Sequence, residues 1–397
     1  MNQKLSERLL SLSPSATLAM NQKSAELRAQ GIDIINMSVG EPDFNTPDHI
    51  KDAAKKAIDD NFSRYSPVPG YPDLRSAICA KMKNENGLEY KPSQIVVSNG
   101  AKQSLSNAIL ALVNPGDEVI IPAPYWVSYP QMVRLAGGVP VFVEATFEQD
   151  FKITPAQLDA AITPRTKMLI LCSPSNPTGA VYSASELEAI AEVLVRRDIL
   201  LMSDEIYEHI NYIGGTTSIA TFPGMYERTI VVNGVSKAYA MTGWRIGFIA
   251  APEWIAKGCN TLQGQNTSGP SSLSQKAAEA AWVADQSCVE EMRKAFERRR
   301  DLIVRLTSEV PGLEVNKPEG AFYLFPKCSS YFGKTDGNRV IKDSDDFAMY
   351  LLEVAHVAAV GGASFGSPEC FRMSYATSDE NITEAIRRIA EALSKLH

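Results

Sequence analysis

Histidine is scarce in this 397-residue chain: His49, His209, His356 and His397 are the only four. None sits in an H-E-x-x-H spacing, so zinc-type catalysis has little to stand on. The six cysteines, Cys79, Cys172, Cys259, Cys288, Cys328 and Cys370, include no C-x-x-C pair. That leaves neither a zinc site nor a disulfide framework, and the thiols read as reduced packing residues. No uninterrupted apolar stretch is long enough to span a bilayer, and residues 1–8 carry charges where a signal peptide needs an apolar core. The expectation is a cytoplasmic protein without a membrane partner. No G-x-G-x-x-G or Walker A segment occurs, which removes the support for generic nucleotide binding. Basic charge is also short, with 39 Lys and Arg against 46 Asp and Glu for a net charge of −7. The dense basic run at 298–300 is flanked by Glu297 and Asp301, so no nucleic-acid surface is expected.

What is present is enough material for more than one core, because single cores stop growing near 250–300 residues. From residue 94 onward, short apolar runs alternate with helical periods. Strands are expected at 94–98, 118–121, 168–172, 199–203, 229–233 and 246–250, and helices at 101–112 and 126–135. Ser183 with Glu186 three positions on forms a capping-box start for a helix to 195. Such alternation predicts an α/β fold whose mostly parallel sheet is covered by helices on both faces, with ligands at the carboxyl ends of its strands. After residue 271 the pattern turns helical, changes character at Pro311-Gly312, and gives short strands at 321–325, 356–360 and 371–375. A final helix follows, with Ile382, Ile386, Ile389, Leu393 and Leu396 at helical spacing. The expected division is an N-terminal arm at 1–45 that completes the small unit, a large unit at 46–310, and a small α+β unit at 311–397.

The unusual residues fall just after the expected strands. Asn233-Gly234-Val235-Ser236-Lys237 ends an apolar strand with a lysine in a segment of small residues, a setting where an amine is desolvated and made nucleophilic. Met241-Thr242-Gly243-Trp244-Arg245 follows, and the Arg245 fork suits a phosphate. Ser203-Asp204-Glu205-Ile206-Tyr207 places a carboxylate directly after a strand. Ser173-Pro174-Ser175-Asn176-Pro177-Thr178-Gly179 does the same for an amide, though alone it is an ordinary turn. Asn99-Gly100-Ala101-Lys102 stands where a strand hands over to a helix, the usual seat of an anion. Arg372 lies inside an apolar strand, where an unpaired charge is costly.

Together these segments resemble the fold-type-I pyridoxal-phosphate aminotransferases, in particular the bacterial aspartate aminotransferases of the Iβ group, from Pro14 to the C-terminus. The resemblance implies pyridoxal 5′-phosphate as cofactor, bound to Lys237 as a Schiff base, with Lys237 also shuttling the substrate proton. By the same resemblance Asp204 holds the ring nitrogen protonated, and Tyr207 and Asn176 meet the phenolic oxygen. Gly100, Ala101, Lys102, Ser236 and Arg245 surround the phosphate, and Trp126 stacks on the ring. Arg372 takes the substrate α-carboxylate, with Gly40, Trp126 and Asn176 beside it. Tyr65 reaches the cofactor of the partner subunit in a homodimer with shared active sites. The segment 263–269 holds no arginine for a second substrate carboxylate, so that role passes to Lys102 with Ser15 and Thr17 of the N-terminal lid. The implied reaction is aspartate:2-oxoglutarate transamination. Prephenate, aromatic or alanine transamination and a carbon–sulfur β-lyase stay open within the fold. A non-catalytic, cofactor-binding regulator is disfavoured, since the arm has no room for a DNA-binding module.

Overall fold

A computed structural model describes residues 5–215 and 217–397; the first four residues of the expected arm lie outside it. The strands are β1 (Ile35–Asn36), β2 (Ile95–Asn99), β3 (Glu118–Ala123), β4 (Val139–Glu144), β5 (Thr166–Cys172), β6 (Leu200–Asp204), β7 (Thr229–Gly234), β8 (Ile246–Ala250), β9 (Tyr323–Leu324), β10 (Val357–Ala358), β11 (Val360–Gly361) and β12 (Phe371–Ser374). Seven of them form the central sheet in the order β2-β8-β7-β6-β5-β3-β4. β3, β4, β5, β6 and β7 pair in parallel, whereas β8 runs antiparallel to both of its neighbours. The expected mostly parallel sheet is therefore present, with β8 as the one reversed strand.

That reversal matters to the site. Because β8 runs the other way, the residue just before it, Arg245, lies at the same edge as the carboxyl ends of β2, β5, β6 and β7. All the strands of this sheet except the outermost are near-continuous apolar runs, as both faces are covered. One face packs Ile109, Val133 and Ile255 among others, and another packs Leu158, Ile190 and Leu194. The start of the helix Ala101–Leu112 lies against Gly247 of β8, where a Cβ would collide with the Ala101 backbone nitrogen.

A second core belongs to the C-terminal part. β11, β12 and β9 form an antiparallel sheet, while β1 pairs in parallel with β10 through Ile35↔Val357. The N-terminal segment thus joins C-terminal strands across more than 300 residues of chain. Helix Ser287–Ser308 adds Met292, Phe296 and Ile303 to this core, together with Phe322, Phe347 and Phe371.

Some expected elements differ. The helix anticipated at 126–135 is Tyr129–Leu135, since Trp126–Ser128 form the turn that leads into it and Pro130 sits in its first turn. β4 escaped the sequence pattern, being a half-exposed edge strand that contains Pro140 rather than an apolar run. The run at 356–360 splits into β10 and β11, which belong to different sheets. The run at 321–325 shortens to β9, and Leu396 lies beyond the last helix, Asp379–Leu393, although it stays buried.

One buried polar cluster ties the strand ends together. Lys81 contacts Glu208 and donates to Asn86 Oδ1 at 2.7 Å, while Asn86 and Asn233 donate to the same Glu208 carboxylate at 2.8 and 2.6 Å. Asn233 Oδ1 in turn accepts from the Gly234 N–H, the segment that leads to Lys237. Glu208→Gln leaves the buried Lys81 ammonium with only the more exposed Glu85 carboxylate, 3.5 Å away, as counter-charge. A loss of about 3–5 kcal/mol is expected from urea unfolding. A loss below about 1 kcal/mol would show that the cluster does not fix this edge.

Candidate active site

A cavity of about 330 Å³ opens at the carboxyl edge of the central sheet, between it and the C-terminal core. Its walls include Ala101, Lys102, Trp126, Asn176, Asp204 and Tyr207 from the large sheet, together with Ser236, Lys237 and Arg245. Ser15, Thr17 and Gly40 from the N-terminal segment and Arg372 from β12 close the other side. Gly100 is not a wall residue but caps the helix whose first residues are. Of the residues anticipated from sequence, Tyr65 alone is remote from the cavity, and its side chain is fully exposed.

Lys237 follows β7 and points its amine at the Gly40 carbonyl, 2.7 Å away. Burial lowers the amine to about 8; Glu41 and Asp204 pull it up, and Arg372 and Arg245 push it down. Asp204, at the end of β6, is buried. Its Oδ2 accepts from the Tyr129 hydroxyl at 2.6 Å and its Oδ1 from the Ile206 N–H at 3.3 Å. Burial pushes this carboxyl up to about 6 against those hydrogen bonds and the field of Lys237. Among the described residues no cation contacts it, and a protonated ring nitrogen would supply one.

Arg372 is 2% exposed, yet its donors face neutral oxygens: Nη1 donates to Asn176 Oδ1 at 2.9 Å and Nη2 to the Ser38 carbonyl at 2.6 Å. Among the described residues its Nε has no partner. The guanidinium lies over the rings of Tyr323 and Phe365, at 4.6 and 4.9 Å from their centroids. A buried guanidinium with only neutral partners is a carboxylate seat in want of its carboxylate.

The phosphate-sized end of the cavity is built by backbone. Gly100 has φ +81°, and a Cβ there would collide with the Arg245 guanidinium. Helix Ala101–Leu112 begins with no side-chain cap, so its first N–H groups are free to meet an anion. Arg245, itself left-handed at φ 58°, donates to the Thr242 and Asn99 carbonyls at 3.0 and 3.1 Å and has spare donor capacity. This donor set fits pyridoxal phosphate at each of its charged ends.

The Lys102 amine lies 4.8 Å from the Trp126 ring centroid, and burial followed by the charge of Arg245 lowers its pKa. Trp126 packs edge-on to Tyr129. Sequence reading missed several cavity residues, among them Tyr129, Cys172, Thr242 and Tyr323. Tyr129 had a signal, standing three residues after Trp126 at the start of a helix. Tyr323 had none, because an aromatic in an apolar strand reads as core.

Comparison with known proteins gives a consistent result. The family model for aminotransferase class I and II matches residues 32–389. The chain is similar to an aspartate/prephenate aminotransferase of Cereibacter sphaeroides, 52% identical with 97% of each chain covered. It is also similar to an aspartate aminotransferase of Geobacillus stearothermophilus, 48% identical over 97% of this chain and 98% of that one. Among solved structures, an aspartate aminotransferase from Rhizobium meliloti matches with a TM-score of 0.96 at 45% identity, covering 99% and 100%. One from Thermus thermophilus with maleate matches at 0.93 and 43%, covering 98% and 100%.

The Lys237 environment predicts an amine that titrates early. In cofactor-free protein, acylation of Lys237 followed by peptide mass spectrometry should show a pH midpoint near 8. Exposed lysines should titrate at about 10.4. A Lys237 midpoint among the exposed lysines would contradict the desolvated setting.

Proposed function

The chain belongs to the class I and II aminotransferases, and from that premise we propose that it moves the amino group of aspartate to 2-oxoglutarate by a two-stage exchange. Pyridoxal 5′-phosphate is the cofactor. When bound, it supplies the ring that takes up the electron pair left on the substrate α-carbon as its proton departs. The observation that carries the reading is the convergence, in one cavity, of a lysine lowered by burial, a buried carboxylate without a cation and a buried guanidinium without an anion.

Each residue then has a task. Lys237 Nζ would anchor the cofactor and, once free, carry the proton from the substrate α-carbon to the cofactor carbon C4′; its lowered pKa suits a base near neutral pH. Asp204, fixed by Tyr129 and the Ile206 amide, keeps a proton on the ring nitrogen. Tyr207 and Asn176 meet the phenolic oxygen, and Trp126 covers the ring face. The Gly100-Ala101-Lys102 turn, Ser236 and Arg245 hold the phosphate. Arg372 binds the α-carboxylate, beside Gly40 and Asn176.

Preference for an acidic side chain follows from Lys102, whose amine reaches the cavity near Ser15 and Thr17. The name of the Cereibacter relative supports prephenate as a second amino-group acceptor, which a mobile lysine head could accommodate. The division of the chain at 45 and 310 belongs to the same proposal, and the packing of Met292, Phe296 and Ile303 with C-terminal strands argues for moving the second boundary into helix Ser287–Ser308. No helix of the described residues is long and apolar enough to cross a membrane.

The functional test uses purified enzyme. Aspartate and 2-oxoglutarate should be turned over, and Lys102→Ser should cost about ten- to a hundredfold in kcat/KM for aspartate while sparing phenylalanine. Equal losses on both substrates would move Lys102 to the phosphate or to the structure. Absence of turnover in the wild type would remove the aspartate assignment.

A homodimer with shared sites is the further part of the proposal, supported by the full exposure of Tyr65. Mixing Lys237→Ala with Tyr65→Phe should regenerate active sites after subunit exchange. No recovery would place Tyr65 in its own subunit's chemistry.

A further inference from the structure

Tyr323 touches three residues of the site without belonging to any of its expected segments. Its hydroxyl lies 2.7 Å from the Tyr207 hydroxyl. Its ring carries the Arg372 guanidinium at 4.6 Å. The hydroxyl also occupies the place where a Cβ on residue 40 would stand, so only glycine leaves it there. The backbone makes these contacts move together: Tyr323 of β9 pairs with Ser374 of β12, two residues from Arg372 on the same short strand. Tyr207, by contrast, follows β6 of the large sheet. The Tyr207–Tyr323 contact therefore joins the carboxylate-binding sheet to the catalytic edge.

We propose that Tyr323 is a positioning residue that couples carboxylate binding at Arg372 to the hydrogen bond Tyr207 gives to the cofactor's phenolic oxygen. The inference rests on the reading above, in which Tyr207 faces that oxygen. A phenol has one proton to give and lone pairs to accept with. When Tyr207 directs its proton to the cofactor, the proton between the two hydroxyls must come from Tyr323. A donor on the Tyr207 oxygen polarises its O–H and strengthens its own donation, since hydrogen bonds in series reinforce one another in a low-dielectric site. Burial holds both phenols above their ordinary range, so both stay protonated and this chain of donors persists through neutral pH.

Arg372 supplies the other half of the coupling. Its guanidinium is held by the Tyr323 and Phe365 rings and two neutral oxygens. A carboxylate arriving at the guanidinium neutralises its charge and weakens its hold on the ring face. The Tyr323 ring is then free to adjust, and its hydroxyl changes its donation to Tyr207. Occupancy of the carboxylate seat is thereby read at the phenolic oxygen.

The test is the pH midpoint of the absorbance change of the lysine-bound cofactor in holoenzyme, with and without the non-reacting dicarboxylate maleate. A donor to the phenolic oxygen favours its anionic form, so losing that donor raises the midpoint. Tyr323→Phe, which keeps the ring over which Arg372 lies, should raise it by about 0.4–1 pH unit. The displacement caused by maleate should be smaller than in wild type. Tyr207→Phe should raise the midpoint at least as far, and adding Tyr323→Phe to it should change nothing more. Tyr323→Phe without effect beside an effective Tyr207→Phe overturns the coupling alone, as does an equal Tyr323→Phe shift in the Tyr207→Phe background. An unmoved midpoint in Tyr207→Phe overturns the reading of Tyr207 and the coupling with it.

Discussion

The structure depends on excluding water from the Lys237 amine. An ammonium at that position is disfavoured by burial and by Arg372 and Arg245, and the balance brings the group to about 8 despite two acidic neighbours. The same exclusion raises Asp204 to about 6 and leaves Arg372 short of a partner. Each of these states carries a desolvation cost that the surrounding protein groups offset only in part. A ligand with an anionic phosphate, a protonatable ring nitrogen and an aldehyde carbon offsets them together, and the substrate carboxylate completes the set. The cleft is therefore organised by charges that the chain does not neutralise itself.

Topology explains why these residues meet. Asn176, Asp204 and Lys237 lie at or just past the carboxyl ends of three neighbouring parallel strands, so they stand side by side at one edge. Arg245 joins them because β8 is reversed and begins where the others end. The opposite wall comes from β12 and the N-terminal segment, which are linked through β1 and β10 and through the Ser374 N–H to the Met37 carbonyl. Lys237 and Asp204 thus belong to one sheet and Arg372 to another, and contacts such as Tyr207 with Tyr323 join the two.

Much of this was legible in the sequence. Lys237, Asp204 and Asn176 were recognisable because a charged or amide residue directly after an apolar run is unusual, and Arg372 because a charge inside such a run is more so. The mostly parallel sheet followed from the β/α alternation. What the sequence did not disclose was set by three-dimensional neighbours. β4 hid because an edge strand does not need a continuous apolar pattern. Tyr323 hid because an aromatic in an apolar strand reads as core, while its contacts with Tyr207, Gly40 and Arg372 come from distant parts of the chain. Tyr129 lay within reach of a closer reading, but its partner, Asp204, is 75 residues away in the chain.

The central claim is that the desolvated Lys237 amine is the covalent anchor of the cofactor, and borohydride reduction of the holoenzyme followed by proteolysis and mass spectrometry tests it most directly. The account predicts a single reduced cofactor adduct on the peptide that contains Lys237. An adduct on any other lysine, or none on that peptide with cofactor bound, would contradict it.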